Sequence, residues 1–161
     1  MTQAPPLEDR RNAVERAKDE LDPLDIRPRI ERYAREGYAS IDPTDLKVRF
    51  RWWGLYTQRP EEAGYFMMRI RIAGGALTSE QLEAIGRIAR QRCRDVADVT
   101  DRQNIQLHWI RIEDVPRIFE AIEGVGLTTC EACGDTPRNM LGCPLAGLER
   151  DARVVRLRAA P

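Results

Sequence analysis

In YFMMRIRIAGG, residues 65–75, large apolar residues and arginines alternate from Met68 to Ile72. Phe66, Met68, Ile70 and Ile72 fall on one side of such a stretch, Arg69 and Arg71 on the other, and Gly74-Gly75 ends it. A period of two fits a β-strand with one face buried and one face wet, and no helix satisfies it. Two neighbouring stretches repeat the pattern. In KVRFRWWGLYTQR (47–59) Val48, Phe50 and Trp52 alternate with Lys47, Arg49 and Arg51, which predicts another strand. VADVTDRQNIQLHWIRI (96–112) supplies one or two more, with Ile105, Leu107 and Trp109 alternating with Gln106 and His108.

Helical patterns separate these stretches. TSEQLEAIGRIARQR (78–92) opens with a capping box, Thr78 as N-cap and Gln81 three residues on, and presents Leu82, Ile85 and Ala89 to a core. Asp114 is placed to cap a helix carrying Val115, Ile118, Phe119 and Ile122, which Gly124 stops. The order strand, strand, helix, strand, strand, helix predicts an α+β domain: a mainly antiparallel sheet with helices on one face. Upstream, residues 1–6 form a Pro-containing leader expected to be disordered, and residues 7–18 are helix-permissive. Asp25 is a candidate cap for a helix with Pro28 in its first turn, Ile26, Ile30 and Tyr33 on its apolar face and Gly37 at its end. Asp42-Pro43-Thr44 reads as a turn. Residues 1–45 therefore read as a helical arm that leans on the body at 46–127, with a loop-rich segment at 128–161.

If helices cover the apolar side of the sheet, the opposite side carries Arg49, Arg51, Arg69, Arg71, Gln106 and His108, near Trp53 and Tyr56. Each such arginine alone reads as an ordinary solvated position of an antiparallel sheet; four of them together, with guanidinium groups suited to planar, bidentate binding of carboxylates and oxyanions, point to an anionic ligand. The chain has 26 basic and 26 acidic residues, and this balance supplies no global field for nucleic acid. No apolar run is long enough to span a bilayer, and the charged start lacks a signal-peptide core; the expected location is cytoplasmic. A reducing cytosol makes free thiols or metal ligands the default for the four cysteines. Three of them, Cys130, Cys133 and Cys143, fall in TTCEACGDTPRNMLGCPLAG (128–147). Zinc, an iron–sulfur cluster or a redox pair are the chemistries this spacing allows, with Cys93 or His108 as fourth ligand, although Gly134, Pro137, Gly142 and Pro144 interrupt the helix that a redox pair would open. The same Gly and Pro residues fix a tight path that projects Arg138 from a constrained loop.

RWWGLYTQR (51–59), YFMMRIRIAGG (65–75), DVTDRQNIQLHWI (98–110) and CGDTPRNMLGCPLAG (133–147) resemble the N-terminal part of the ferredoxin-dependent sulfite and nitrite reductases. The arm DPLDIRPRIERYAREGYASIDPTDLKVRFRWWGLYTQR is similar as well, so the resemblance covers roughly residues 20–147. It implies a ferredoxin-like half-domain of the nitrite/sulfite reductase type at 46–127, followed at 128–161 by the truncated start of the sirohaem/[4Fe–4S] domain. The family reduces sulfite or nitrite by six electrons with sirohaem and a [4Fe–4S] cluster, taking electrons from ferredoxin. The resemblance implies that Arg69 and Arg138 face the anion or the sirohaem carboxylates. It also implies that Arg71, Arg102, Asn104, Gln106 and His108 lie at the cofactor, with Tyr56 and Cys133 in the pocket wall. No metal ligand is implied: the family's cluster cysteines and active-site lysines have no counterpart here, and Asp101 stands where the family pattern has threonine. The expectation is the N-terminal fragment of an assimilatory reductase, inactive alone. It would be truncated, frame-disrupted or encoded apart from a complementary C-terminal chain. A non-catalytic anion- or RNA-binding α+β module is the alternative.

Overall fold

The computed structural model describes residues 12–134, 136–137, 139–143 and 145. The leader at 1–6 and Arg138 lie outside the described residues. At the centre is β2 (Tyr65–Ile70), which pairs antiparallel with β1 (Leu55–Thr57) on one side and β4 (Ile105–Arg111) on the other. β3 (Ala97–Val99) pairs antiparallel with β4 and completes a four-stranded sheet of order β1-β2-β4-β3. Leu55, Phe66, Met68, Ile70, Leu107 and Ile110 are fully buried on one face. Against that face pack α4 (Ser79–Arg92), through Ile85, Ile88 and Ala89, and α5 (Val115–Glu123), through Val115, Ile118, Phe119 and Ile122. This is the α+β arrangement that the alternation predicts.

Several local expectations give way. Residues 47–53 are not a strand. Asp42 accepts from the Thr44 and Asp45 amides and starts a short helix, α3 (Pro43–Lys47), which runs into a 3₁₀ turn at Arg49–Trp53. Only Leu55–Thr57 remain as strand. The turn buries Phe50, Trp52 and Trp53 together and carries Arg49 inward with them. Arg49 therefore leaves the polar sheet face. Its Nη1 donates to Asp45 Oδ1 at 2.7 Å, while Nε and Nη2 donate to the Ala17 carbonyl at 3.1 and 2.9 Å. In β4 the alternation breaks at a bulge, where the register shifts between Phe66 and Met68. Trp109 takes a left-handed φ of 60°, and Ile110 enters the core in its place. Along α4, Leu82 is 56% exposed and Ile88 fills the buried stripe instead. Asp114 makes no capping bond; a 3₁₀ turn at Ile112–Asp114 leads into α5, and Asp114 pairs with Arg92 at 2.8 Å.

The N-terminal elements α1 (Ala13–Glu20) and α2 (Arg27–Glu36) are held by specific contacts. Asp22, not Asp25, caps the 3₁₀ turn at Pro23–Ile26 that precedes α2. Ile26, Ile30 and Tyr33 are fully buried in the same core as the sheet residues, and Gly37 ends α2 with a φ of 87°.

Candidate functional site

The face of the sheet away from α4 and α5 carries the polar side chains. Register sets their neighbours: Arg69 on β2 lies opposite Gln106 on β4, which lies opposite Asp98 on β3. With the Gln106 amide oxygen turned to the guanidinium, it accepts from Arg69 Nη2 at 2.6 Å and from Nε at 3.2 Å. Arg69 Nη1 donates to Cys133 Sγ at 3.3 Å, and the Tyr56 hydroxyl donates to the same sulfur. The guanidinium carbon of Arg69 lies 5.6 Å from the centre of the Tyr56 ring, a cation–π contact. Gly54 makes this geometry possible. At φ 69° its α-carbon lies so close to β2 that a Cβ would sit 2.6 Å from the Arg69 carbonyl oxygen. The Gly54 carbonyl accepts from the Arg69 amide at 2.8 Å.

Beside Arg69 opens a cleft of about 380 Å³, lined by Arg69, Arg102, Asn104, Gln106 and Asn139, with Val99 and Ala132 as apolar walls and Asp101 as its carboxylate. Arg102 belongs to the Thr100–Asn104 turn that joins β3 to β4, closed by the Thr100 amide donating to the Asn104 carbonyl at 2.9 Å. Asn104 is buried, and its Oδ1 accepts from the Ile72 amide at 3.0 Å, which ties the end of β2 to the start of β4. His108 shares the face, its Nε2 3.1 Å from Asp98 Oδ2. Arg71 lies outside the cleft lining. Its amide donates to the Thr128 carbonyl and its side chain reaches Glu131 at 3.6 Å. Arg51 also lies over the Tyr56 ring, at 6.0 Å, and lines a second cleft of about 330 Å³ with Trp52, Tyr56, Cys133 and, near the start of α1, Asn12 and Glu15.

Two residues at this site escaped the sequence reading, Gln103 and Asn139. Gln103 Nε2 donates to the Gly142 carbonyl at 2.8 Å and its Oε1 accepts from the Gly142 amide at 2.9 Å. Asn139 Nδ2 donates to the carbonyls of Ile72 and Arg102. The signal available in the sequence is the set of glycines, Gly74, Gly75 and Gly142, which spacing alone marks only as strand ends and loop.

The four cysteines are free thiols. Burial pushes Cys93 up to about 11, and burial together with Glu131 raises Cys130. Cys133 is buried against Tyr56 and Arg69, and Cys143 is exposed. Among the described residues no group of three His, Cys, Asp or Glu side chains is placed to hold a metal ion.

A family model described as the nitrite/sulfite reductase ferredoxin-like half domain matches residues 58–125. A ferredoxin sulfite reductase of Mycobacterium tuberculosis is 51% identical over 87% of this chain. The solved structure of the Mycobacterium tuberculosis NirA protein superposes with a TM-score of 0.80 at 51% identity, over 84% of this chain and 28% of that one. The chain carries a ferredoxin-like half domain of the nitrite/sulfite reductase type. A ferredoxin–nitrite reductase of Leptolyngbya laminosa is 40% identical over 94% of the chain. The chain spans about 28% of the sulfite reductase and about 30% of the nitrite reductase. The matched half domain runs from the β1–β2 link to the end of α5, so it contains Arg69, Arg102, Asn104, Gln106 and His108. Tyr56 and Cys133, which meet Arg69 in space, come from either side of the match.

Proposed function

We propose that this chain supplies the N-terminal part of an assimilatory, ferredoxin-dependent sulfite or nitrite reductase, and that its polar sheet face binds the anionic edge of sirohaem and the anionic substrate. Residues 1–45 act as the arm, 46–127 as the half domain and 128–161 as the start of the cofactor domain. The observation that carries this reading is the Arg69 guanidinium, held by Gln106 and Cys133 at the mouth of a cleft that also takes Arg102.

The residues present fit the carboxylate-bearing side of a tetrapyrrole. Two guanidiniums face the cleft for the acids, and Val99 and Ala132 offer apolar surface. They do not supply the cluster: the described cysteines and histidine are not grouped as ligands. When bound, sirohaem and the cluster supply the electron chemistry. This chain's residues bind and orient. The Gln106 oxygen and the Cys133 sulfur fix the plane of Arg69 before a ligand arrives, so its positive charge needs little reorganisation. Arg102 and Arg138 would add charge from two loops, Arg71 and His108 would support the cofactor edge, and Tyr56 would wall the pocket. Sulfite or nitrite would be the substrate, ferredoxin the electron donor, and a complementary C-terminal chain the source of the missing ligands. The relative at 51% identity is a sulfite reductase, which favours sulfite.

Titration of the purified chain with sirohaem, followed by visible absorption, tests the reading. A saturable change near equal stoichiometry, weakened about tenfold or more by Arg69→Ala or Arg102→Ala, is expected. Uptake that neither substitution alters removes the assignment of this face.

A further inference from the structure

We propose that Gln103 and Asn139 are positioning residues, which together clasp the segment 139–142 onto the end of β2 and the β3–β4 turn and so fix Arg102 and the rim of the anion cleft. The role rests on the reading of the cleft given above. Five hydrogen bonds make the clasp. Asn139 Nδ2 donates to Ile72 O at 2.8 Å and to Arg102 O at 2.9 Å. The Gly74 amide donates to Met140 O at 3.0 Å. Gln103 and Gly142 exchange a reciprocal pair at 2.8 and 2.9 Å, the side-chain amide imitating a neighbouring strand.

Hydrophobic burial does not hold this segment. Met140 and Leu141 are 62% and 58% exposed, so polar contacts alone define where it lies. The backbone makes concessions to them at several points. Gln103 itself adopts a φ of 58°. Gly75 has a φ of 70°, and a Cβ there would meet the Gln103 carboxamide at 2.8 Å; a Cβ at Gly142 would sit 2.5 Å from the Gly74 carbonyl oxygen. Asn139 spends both amide hydrogens on carbonyls while its Oδ1 is buried with no hydrogen-bond partner. An unsatisfied acceptor at Asn139 and a non-glycine residue, Gln103, in the left-handed region are costly unless the placement they secure matters. What the clasp places is specific. One of the two carbonyls that Asn139 grips is that of Arg102, a cleft residue, and Asn139 is next in sequence to Arg138.

The test compares the unaltered chain with Asn139→Ala, Asn139→Asp, Gln103→Ala and the double alanine variant. Each is read by sirohaem titration in visible absorption, amide hydrogen exchange at Gly74 and Gly142, and thermal unfolding. The single alanine variants should weaken uptake about tenfold, as loss of a supporting contact to a ligating group does. They should also speed exchange at Gly142, with the unfolding midpoint held. Asn139→Asp, equal in size but with oxygens facing both carbonyls, should not rescue. The double variant should lose little more than either single one, because both residues serve one clasp. Faster exchange with unchanged uptake overturns the positioning role alone, as does lost uptake that merely tracks a lower midpoint. No uptake by the unaltered chain overturns the reading of the cleft, and the positioning role with it.

Discussion

Replacing Arg49 by methionine should destabilise the fold far more than any change at Arg69, although the two arginines look alike in the sequence. Arg49 is 3% exposed, and the Asp45 carboxylate beside it is wholly buried. The substitution keeps most of the aliphatic stem but removes the 2.7 Å bond to Asp45, the pair of bonds to the Ala17 carbonyl and the 3.0 Å contact with Glu20. Glu20 is exposed, so its share is small. Removing one partner of a buried pair costs about 3–5 kcal/mol. Asp45 keeps the Tyr33 hydroxyl at 2.7 Å and Arg29 at 3.1 Å, which places the expected loss near the lower end, about 3 kcal/mol. For a domain of this size that corresponds to a fall of about 6–12 °C in Tm. Urea unfolding at neutral pH measures it. The acid limb adds an independent check. Burial raises the Asp45 carboxyl, but Arg49, Tyr33 and Arg29 more than offset it, so the folded value lies below the ordinary one. A depressed carboxyl contributes stability above its unfolded pKa, about 3.9, and loses it as pH falls through the folded value. The difference between the parent and the methionine variant should therefore narrow in acid. A loss below about 1 kcal/mol at neutral pH, or a difference that grows in acid, would refute the argument that Arg49 is a buried partner.

Three further outcomes follow from other positions. Leu82→Ala should change stability by no more than about 0.5 kcal/mol, whereas Ile85→Ala, one turn on and buried, should cost about 2–5 kcal/mol in the same urea series. Gly54→Ala should cost at least about 1–3 kcal/mol from its left-handed backbone alone and should move the Arg69 main chain, seen as a changed Arg69 amide shift in NMR. A thiol reagent at pH 8 should modify Cys143 at once and Cys93 only on unfolding, because Cys93 is buried and its thiol is pushed up to about 11; rapid loss of all four thiols in the native chain would contradict this burial.

Alternation was a reliable guide where one face of a strand was buried along its whole length, as in β2, and failed where another constraint acted on the same residues. At 47–53 the pattern of a strand coexists with an aspartate cap at Asp42 and a buried partner for Arg49 four residues earlier, and the helical route satisfies both. In β4 the bulge inserts one extra residue, so every inward position after His108 shifts by one. Neither event leaves a mark in a single run of letters, since each depends on what the neighbouring strand or helix offers.

By itself the sequence determined the α+β class, the capping box at Thr78, the core stripe of α5 and the likeness to the reductase half domain, because local hydrogen-bonding chemistry, apolar periodicity and short motifs are properties of contiguous residues. Tertiary structure alone decided which arginines face solvent and which are buried, since Arg49 and Arg69 differ only in the partners that distant segments bring to them. It also decided that Gln103 and Asn139, 36 positions apart in the sequence, grip one short segment beside the cleft, because a hydrogen bond is selected by position in space and the chain order does not encode that distance.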